Sequence, residues 1–100
     1  MITITAVIRA KPGAEAALED ALLEVARYVE THEADTVGFH LSRSLDDPRV
    51  FTTYERFLSE EAKDAHNASP ATTAFFEVAE SLIEPPVTLH TAEEISAKSS

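Results

Sequence analysis

The spacing of apolar residues changes period within a few residues of the start of the chain. In "ITITAVIRA" (Ile2 to Ala10), Ile2, Ile4, Ala6 and Ile8 share one face, and Thr3, Thr5, Val7 and Arg9 share the other. A period of two rich in β-branched residues is a strand. "KPG" (Lys11 to Gly13) breaks it. From Ala14 onward Ala17, Leu18, Ala21, Leu22, Val25 and Val29 follow at steps of three and four, with Glu15, Glu19, Asp20, Glu24, Arg27 and Glu30 between them. That spacing predicts an amphipathic helix that frays near Thr31 to Asp35. A strand with one apolar face, followed at once by a helix with one apolar stripe, is a unit whose parts can cover each other.

The rest of the chain repeats the unit with a hairpin at its start. "TVGFHLSRS" (Thr36 to Ser44) alternates, with Val37, Phe39 and Leu41 on one face. "LDDP" (Leu45 to Pro48) has turn composition. "RVFTTYERF" (Arg49 to Phe57) is a third strand, apolar or aromatic on both faces: Val50 and Tyr54 on one, Phe51 and Phe57 on the other. Such a strand belongs at the centre of a sheet. Ser59 caps a helix over "EEAKDAHNA", with Glu60 and Glu61 in the first turn, where the helix dipole favours them. Ser69 and Pro70 restart it as cap and first helical residue. "ATTAFFEVAESLI" then places Phe75, Phe76, Ala79, Leu82 and Ile83 on one stripe. "EPP" (Glu84 to Pro86) ends that helix, "VTLHTAEE" is a last short strand, and Ile95 to Ser100 is a polar tail.

The order β-α-β-β-α-β, with the second helix broken in two, predicts an α+β fold of the ferredoxin-like plan: a four-stranded antiparallel sheet with the helices on one face. The helices are expected on the face of Ile2, Ile4, Ala6 and Ile8. The other face keeps Val7 and part of the third strand, which implies a symmetric partner. Residues 1–94 are taken as a single domain and 95–100 as the tail.

Composition removes several function classes. Eight Lys and Arg stand against 18 Asp and Glu, a formal charge of -10. Counterion release from phosphates needs a positive surface, so neither nucleic acid nor an anionic membrane is an expected partner. The chain has no cysteine, which removes disulfides and thiol chemistry and fits a reducing compartment. No secretory leader and no stretch long enough to span a bilayer are visible, so a cytoplasmic location is expected. With two glycines, Gly13 and Gly38, no phosphate-cradling loop can form. Gly38, inside a strand, suggests a bulge or a close approach. The histidines show no ligand spacing, and no metal site is expected. Glu55 is expected to orient a neighbouring Arg in a structural ion pair.

His66 stands apart. The polar side of its helix carries Glu60, Glu61, Lys63, Asp64 and Asn67, while His66 falls with Leu58, Ala62, Ala65 and Ser69. A His so placed is either a core residue bonded to a backbone carbonyl or a polar group pointing into space left by small neighbours. That space would be walled by Phe75 or Phe76, Ile8, Phe39 and the aromatics of the third strand, as a small-molecule pocket requires.

The segments "VIRAKPGAEAAL", "SRSLDDP", "YERF", "SEEAKDAH" and "ASPATTAFF", in that order, resemble the antibiotic biosynthesis monooxygenase family, quinol monooxygenase-like members included. The likeness runs from Ile2 to Thr91 and is most specific between Tyr54 and Phe76. It implies a homodimer closing into a dimeric α/β barrel, with a pocket between sheet and helices. Several members oxidise quinols or polyketide aromatics with O2 and no metal or flavin. The resemblance therefore implies a cofactor-independent monooxygenase acting on a small quinol-like or phenolic aromatic. His66 is its expected catalytic group, and Ile8, Phe39, Tyr54, Phe57 and Phe76 are the expected substrate contacts. No cofactor is expected. A ligand-binding or stress-response dimer without chemistry is the alternative, and a proton-shuttling isomerase a third. Members that degrade haem carry Asn, Trp and His where this chain has Ala6, His66 and Phe76, which argues against that activity. Phe57 stands where many members carry Trp.

Overall fold

The computed structural model describes residues 1–98. Its elements are β1 (Ile2–Ala10), α1 (Glu15–His32), β2 (Thr36–Arg43), β3 (Val50–Phe57), α2 (Glu60–Asn67), α3 (Pro70–Leu82) and β4 (Ile83–Glu93). The strands form one four-stranded sheet in the order β2-β3-β1-β4, and every pairing is antiparallel. This is the ferredoxin-like arrangement that the alternating periods predict. Gly13, at φ +86°, makes the turn from β1 into α1. β2 and β3 slip register between Thr36 and Gly38. A Cβ on Gly38 would come within 3.3 Å of the His40 ring and 3.5 Å of Arg56 Cβ, so the expected irregularity has a steric cause.

The helices cover the face of β1 that carries Ile4, Ala6, Ile8 and Ala10, all buried. Leu18, Leu22, Val25 and Val29 of α1 pack down onto it. In β3, Phe51, Thr53, Glu55 and Phe57 point to the helices. Phe51 and Phe57 are almost wholly enclosed, each worth about 1.5–3 kcal/mol of apolar burial. The opposite face carries Thr5, Val7, His40 and Tyr54, all exposed.

β4 differs from expectation. Ile83 starts the strand rather than ending the helix, and the strand runs through Pro85 and Pro86 instead of beginning after them. Proline removes a ladder donor, which an edge strand or an irregular register tolerates. Both conditions hold: β4 is at the edge of the sheet, and its pairing with β1 shifts between Val7 and Arg9.

Candidate functional site

The break between α2 and α3 sets the site. Ser59 Oγ accepts from the Ala62 amide at 3.1 Å, and Ser69 Oγ accepts from the Thr72 amide at 3.1 Å. Each helix thus has its own capped start. His66 lies in the last turn of α2, where a cation is favoured by the helix dipole. Its ring is 4% exposed and lies 5.3 Å from the ring of Phe57 and 5.8 Å from that of Phe39.

Two carboxylates meet that ring. Nδ1 is 2.8 Å from Glu33 Oε1, in the turn after α1. Nε2 is 3.2 Å from Glu55 Oε1, on β3. The Thr36 hydroxyl donates to Glu33 Oε1 at 2.7 Å, and the Thr53 hydroxyl donates to Glu55 Oε2 at 2.7 Å. Glu33 Oε2 is buried without a hydrogen-bond partner. An ionised carboxylate only accepts, so an imidazole with a carboxylate at each nitrogen is best satisfied with both nitrogens protonated. Burial works against the charged ring, but the contacts with Glu55 and Glu33 together outweigh it and hold its pKa above the ordinary 6.5. The ring's partners are thus two acidic side chains, between which it is buried, and not a backbone carbonyl. The carboxylates sit on opposite sides of the ring and do not converge on a point, and among the described residues no cluster could hold a metal ion.

A cavity of about 540 Å³ opens between β1, β3, β4, α1 and α3. Its walls are apolar side chains such as Ile8, Leu22, Phe39, Phe75 and Ala79. Thr53, Glu55 and His66 form a polar end, and Lys11 and Glu80 also line it. A second hollow of about 490 Å³ lies behind His66, lined by Glu33, Asp35, Thr36, Ser59 and Glu61 among others. His66 belongs to both.

The structure brings His66, Ile8, Phe39 and Phe76 to one cavity. Phe76 is 64% exposed there. Phe57 is elsewhere: fully buried beneath the His66 ring, it supports the ring and does not line the cavity. Tyr54 points to the opposite face of the sheet. Its hydroxyl donates to Glu94 at 3.2 Å, beside the two-pronged Arg56–Glu94 pair at 2.9 Å. Glu55 also departs from expectation, since it binds Thr53 and His66 rather than an arginine. Sequence reading missed Glu33 and Glu55 as site residues. For Glu55 a signal existed, because alternation places it on the same face as Phe51 and Phe57. For Glu33 none did, since it follows a fraying helix end rich in acids.

Comparison with known proteins bears on the whole chain. The sequence model of the antibiotic biosynthesis monooxygenase family matches residues 1–78. Among solved structures, SO0527 from Shewanella oneidensis is 30% identical, with a TM-score of 0.81 over 91% of this chain and 89% of that one. Rv0793 from Mycobacterium tuberculosis has a TM-score of 0.89 at 22% identity, covering 98% of each chain. A solved antibiotic biosynthesis monooxygenase superposes with a TM-score of 0.86 at 19% identity, over 96% of this chain and 100% of that one. No curated protein matches the chain.

Proposed function

The chain belongs to the antibiotic biosynthesis monooxygenase family, and from that premise we propose that it oxidises a small quinol-like or phenolic aromatic with O2, using no cofactor. The observation that carries this reading is the Glu55–His66 contact at the polar end of an otherwise apolar cavity. A neutral aromatic ring fits the walls, and its hydroxyl can donate to Glu55. Deprotonation makes the ring electron-rich enough to reduce O2 directly, so the protein's part is to accept the proton and orient the ring. The chemistry balances without another reductant. One oxygen atom joins a ring carbon, the other leaves as water, and the ring supplies four electrons and two hydrogens, so a quinol plus O2 gives a hydroxyquinone plus water. Glu55 and His66, in contact at the polar end of the cavity, are the groups that meet the hydroxyl and take up its proton.

The exposed sheet face, with Val7 and Tyr54 open to solvent, is the surface that a second copy covers in this reading. Light scattering of the purified protein checks it, and a monomer at all concentrations would remove it.

Oxygen uptake by metal-free protein with a panel of quinols and polyphenols tests the activity. Uptake above a protein-free blank that falls sharply in Glu55→Gln and His66→Gln is expected. Binding of the same compounds without uptake would replace the oxygenase with a ligand-binding protein.

A further inference from the structure

The apolar cavity has a second charged end. Its lining follows β1 from Ile4, which pairs with Glu55, through Ala6 and Ile8 to Lys11, just past the pairing of Ala10 with Ile83. At about 3.3 Å per residue, Lys11 stands about 20 Å along the strand from the Glu55–His66 end. The end of α3 holds it there twice. The Lys11 amide donates to the Leu82 carbonyl at 2.8 Å, and its Nζ donates to the Glu80 carbonyl at 3.0 Å. An ammonium has three N–H donors, so two remain for a ligand. Charge pairing also singles it out. Of the chain's 8 lysines and arginines, Arg9, Arg27, Arg43, Arg49, Arg56 and Lys63 each contact a carboxylate. Lys98 is in the polar tail. Lys11 forms no ion pair among the described residues, although the chain carries 18 acids. We propose that Lys11 recognises an anion, and that the ligand is an extended hydroxyaryl carboxylate with its hydroxyl at Glu55 and His66 and its carboxylate at Lys11.

The two ends of the cavity differ as the two ends of such a molecule do. Glu55 accepts from a hydroxyl but repels a carboxylate, so the ligand enters in one orientation. Apolar walls between the ends suit its rings. Side chains reaching in from both ends shorten the span, and a two-ring aromatic fits the remainder within about 540 Å³. The last carbonyls of α3 would by themselves disfavour an anion, since they form the negative end of the helix dipole. Lys11 lies over them and reverses the local sign. Glu80 also lines this end, with its side chain exposed and no ion pair to Lys11. A chain of net charge -10 repels anions as a whole, so an anionic ligand needs such a cation and a neutral one does not. Lys11 also ties down the end of α3, as basic side chains at helix C-termini do. That tie requires a donor but no charge, which separates it from recognition of an anion.

The ligand class deepens the oxygenase reading and rests on it for its purpose, but binding without oxygen measures it. The probe is a biphenyl with a hydroxyl at one end and a carboxylate at the other, titrated by fluorescence beside the corresponding carboxamide. The wild type is expected to bind the carboxylate at least about fivefold more tightly, the upper worth of a partly exposed ion pair. Lys11→Gln keeps a donor for the Glu80 carbonyl and removes the charge. In it the preference should vanish, while affinity for the carboxamide and the melting temperature stay close to those of the wild type. Should that variant not fold, the preference in the wild type must shrink as salt is raised. An isomer with hydroxyl and carboxylate on one ring cannot reach both ends and should show no preference over its amide. Equal affinities in the wild type, a preference that survives Lys11→Gln or salt, the same preference in the one-ring isomer, or no binding of either compound overturns the assignment. A Lys11-dependent preference without oxygen uptake overturns the oxygenase reading alone.

Discussion

Glu55 Oε1 lies 3.2 Å from Nε2 of His66, so the strand at the centre of the sheet and the short helix above it are joined by a buried acid–imidazole contact as well as by apolar packing. A second acid, Glu33, meets the far nitrogen of the same ring at 2.8 Å. The stability of the protein should carry the mark of this arrangement.

Removing the cation leaves two buried carboxylates without compensation. His66→Ala is expected to cost about 3–5 kcal/mol, measured by urea denaturation. Adding Glu33→Gln and Glu55→Gln to it should recover much of the loss, because no uncompensated charge then remains. A loss below about 1 kcal/mol in the single variant would mean that the ring is not charged in the folded state.

The same pair makes stability depend on pH in a definite direction. The folded pKa of His66 is raised above 6.5. Its contribution is therefore fully present below about pH 6.5 and is lost as pH rises through the higher folded value, where the folded state no longer binds the extra proton. The urea midpoint of the wild type should fall as the pH rises from about 6.5 through the raised folded value, and the fall should shrink in His66→Gln. An equal fall in both would assign it to other groups.

The caps should be separable from the cluster. Ser69 is buried, accepts from the Thr72 amide and donates to the Thr72 hydroxyl at 3.1 Å. Ser69→Ala is expected to cost about 1–2 kcal/mol by the usual worth of an N-cap, with the pH dependence of the midpoint unchanged. Thermal and urea melts check both points.

Filling the cavity should exclude ligand while sparing the fold. Ala79 stands on α3 in the cavity wall, 9% exposed. Leu in its place adds apolar bulk into empty space. Binding of a fluorescent naphthol should weaken at least about tenfold, equivalent to about 1.4 kcal/mol, while the melting temperature stays level or rises. Undiminished binding would place the ligand elsewhere.

Where a residue's local pattern determined its place, the sequence was a good guide. Alternation in β1 put Ile4, Ala6 and Ile8 under the helices, and Ser69-Pro70 marked the break between α2 and α3. Edge position is not local, so a strand running through Pro85 and Pro86 could not be read from the prolines, which look like punctuation in isolation. The direction of His66 was legible, but its partners were not. Glu55 was hidden because an acid within a strand suggests an arginine partner, and Glu33 because a turn carries no period. The greasy look of β3 on both sides also blurred which face Tyr54 takes, and register with β1 settles it: Tyr54 stands opposite Thr5, on the uncovered side.

The interruption at Ser69-Pro70 has one more effect. It places the His66 ring on α2 and the aromatic wall, Phe75 and Phe76, on α3, two pieces with separate caps. A substitution that tilts or reshapes α3 changes the size of molecule admitted without moving the histidine, and one that retunes the acids changes reactivity without resizing the chamber. In a lineage of such chains, appetite for new molecules and the means of attacking them are free to diverge on separate schedules.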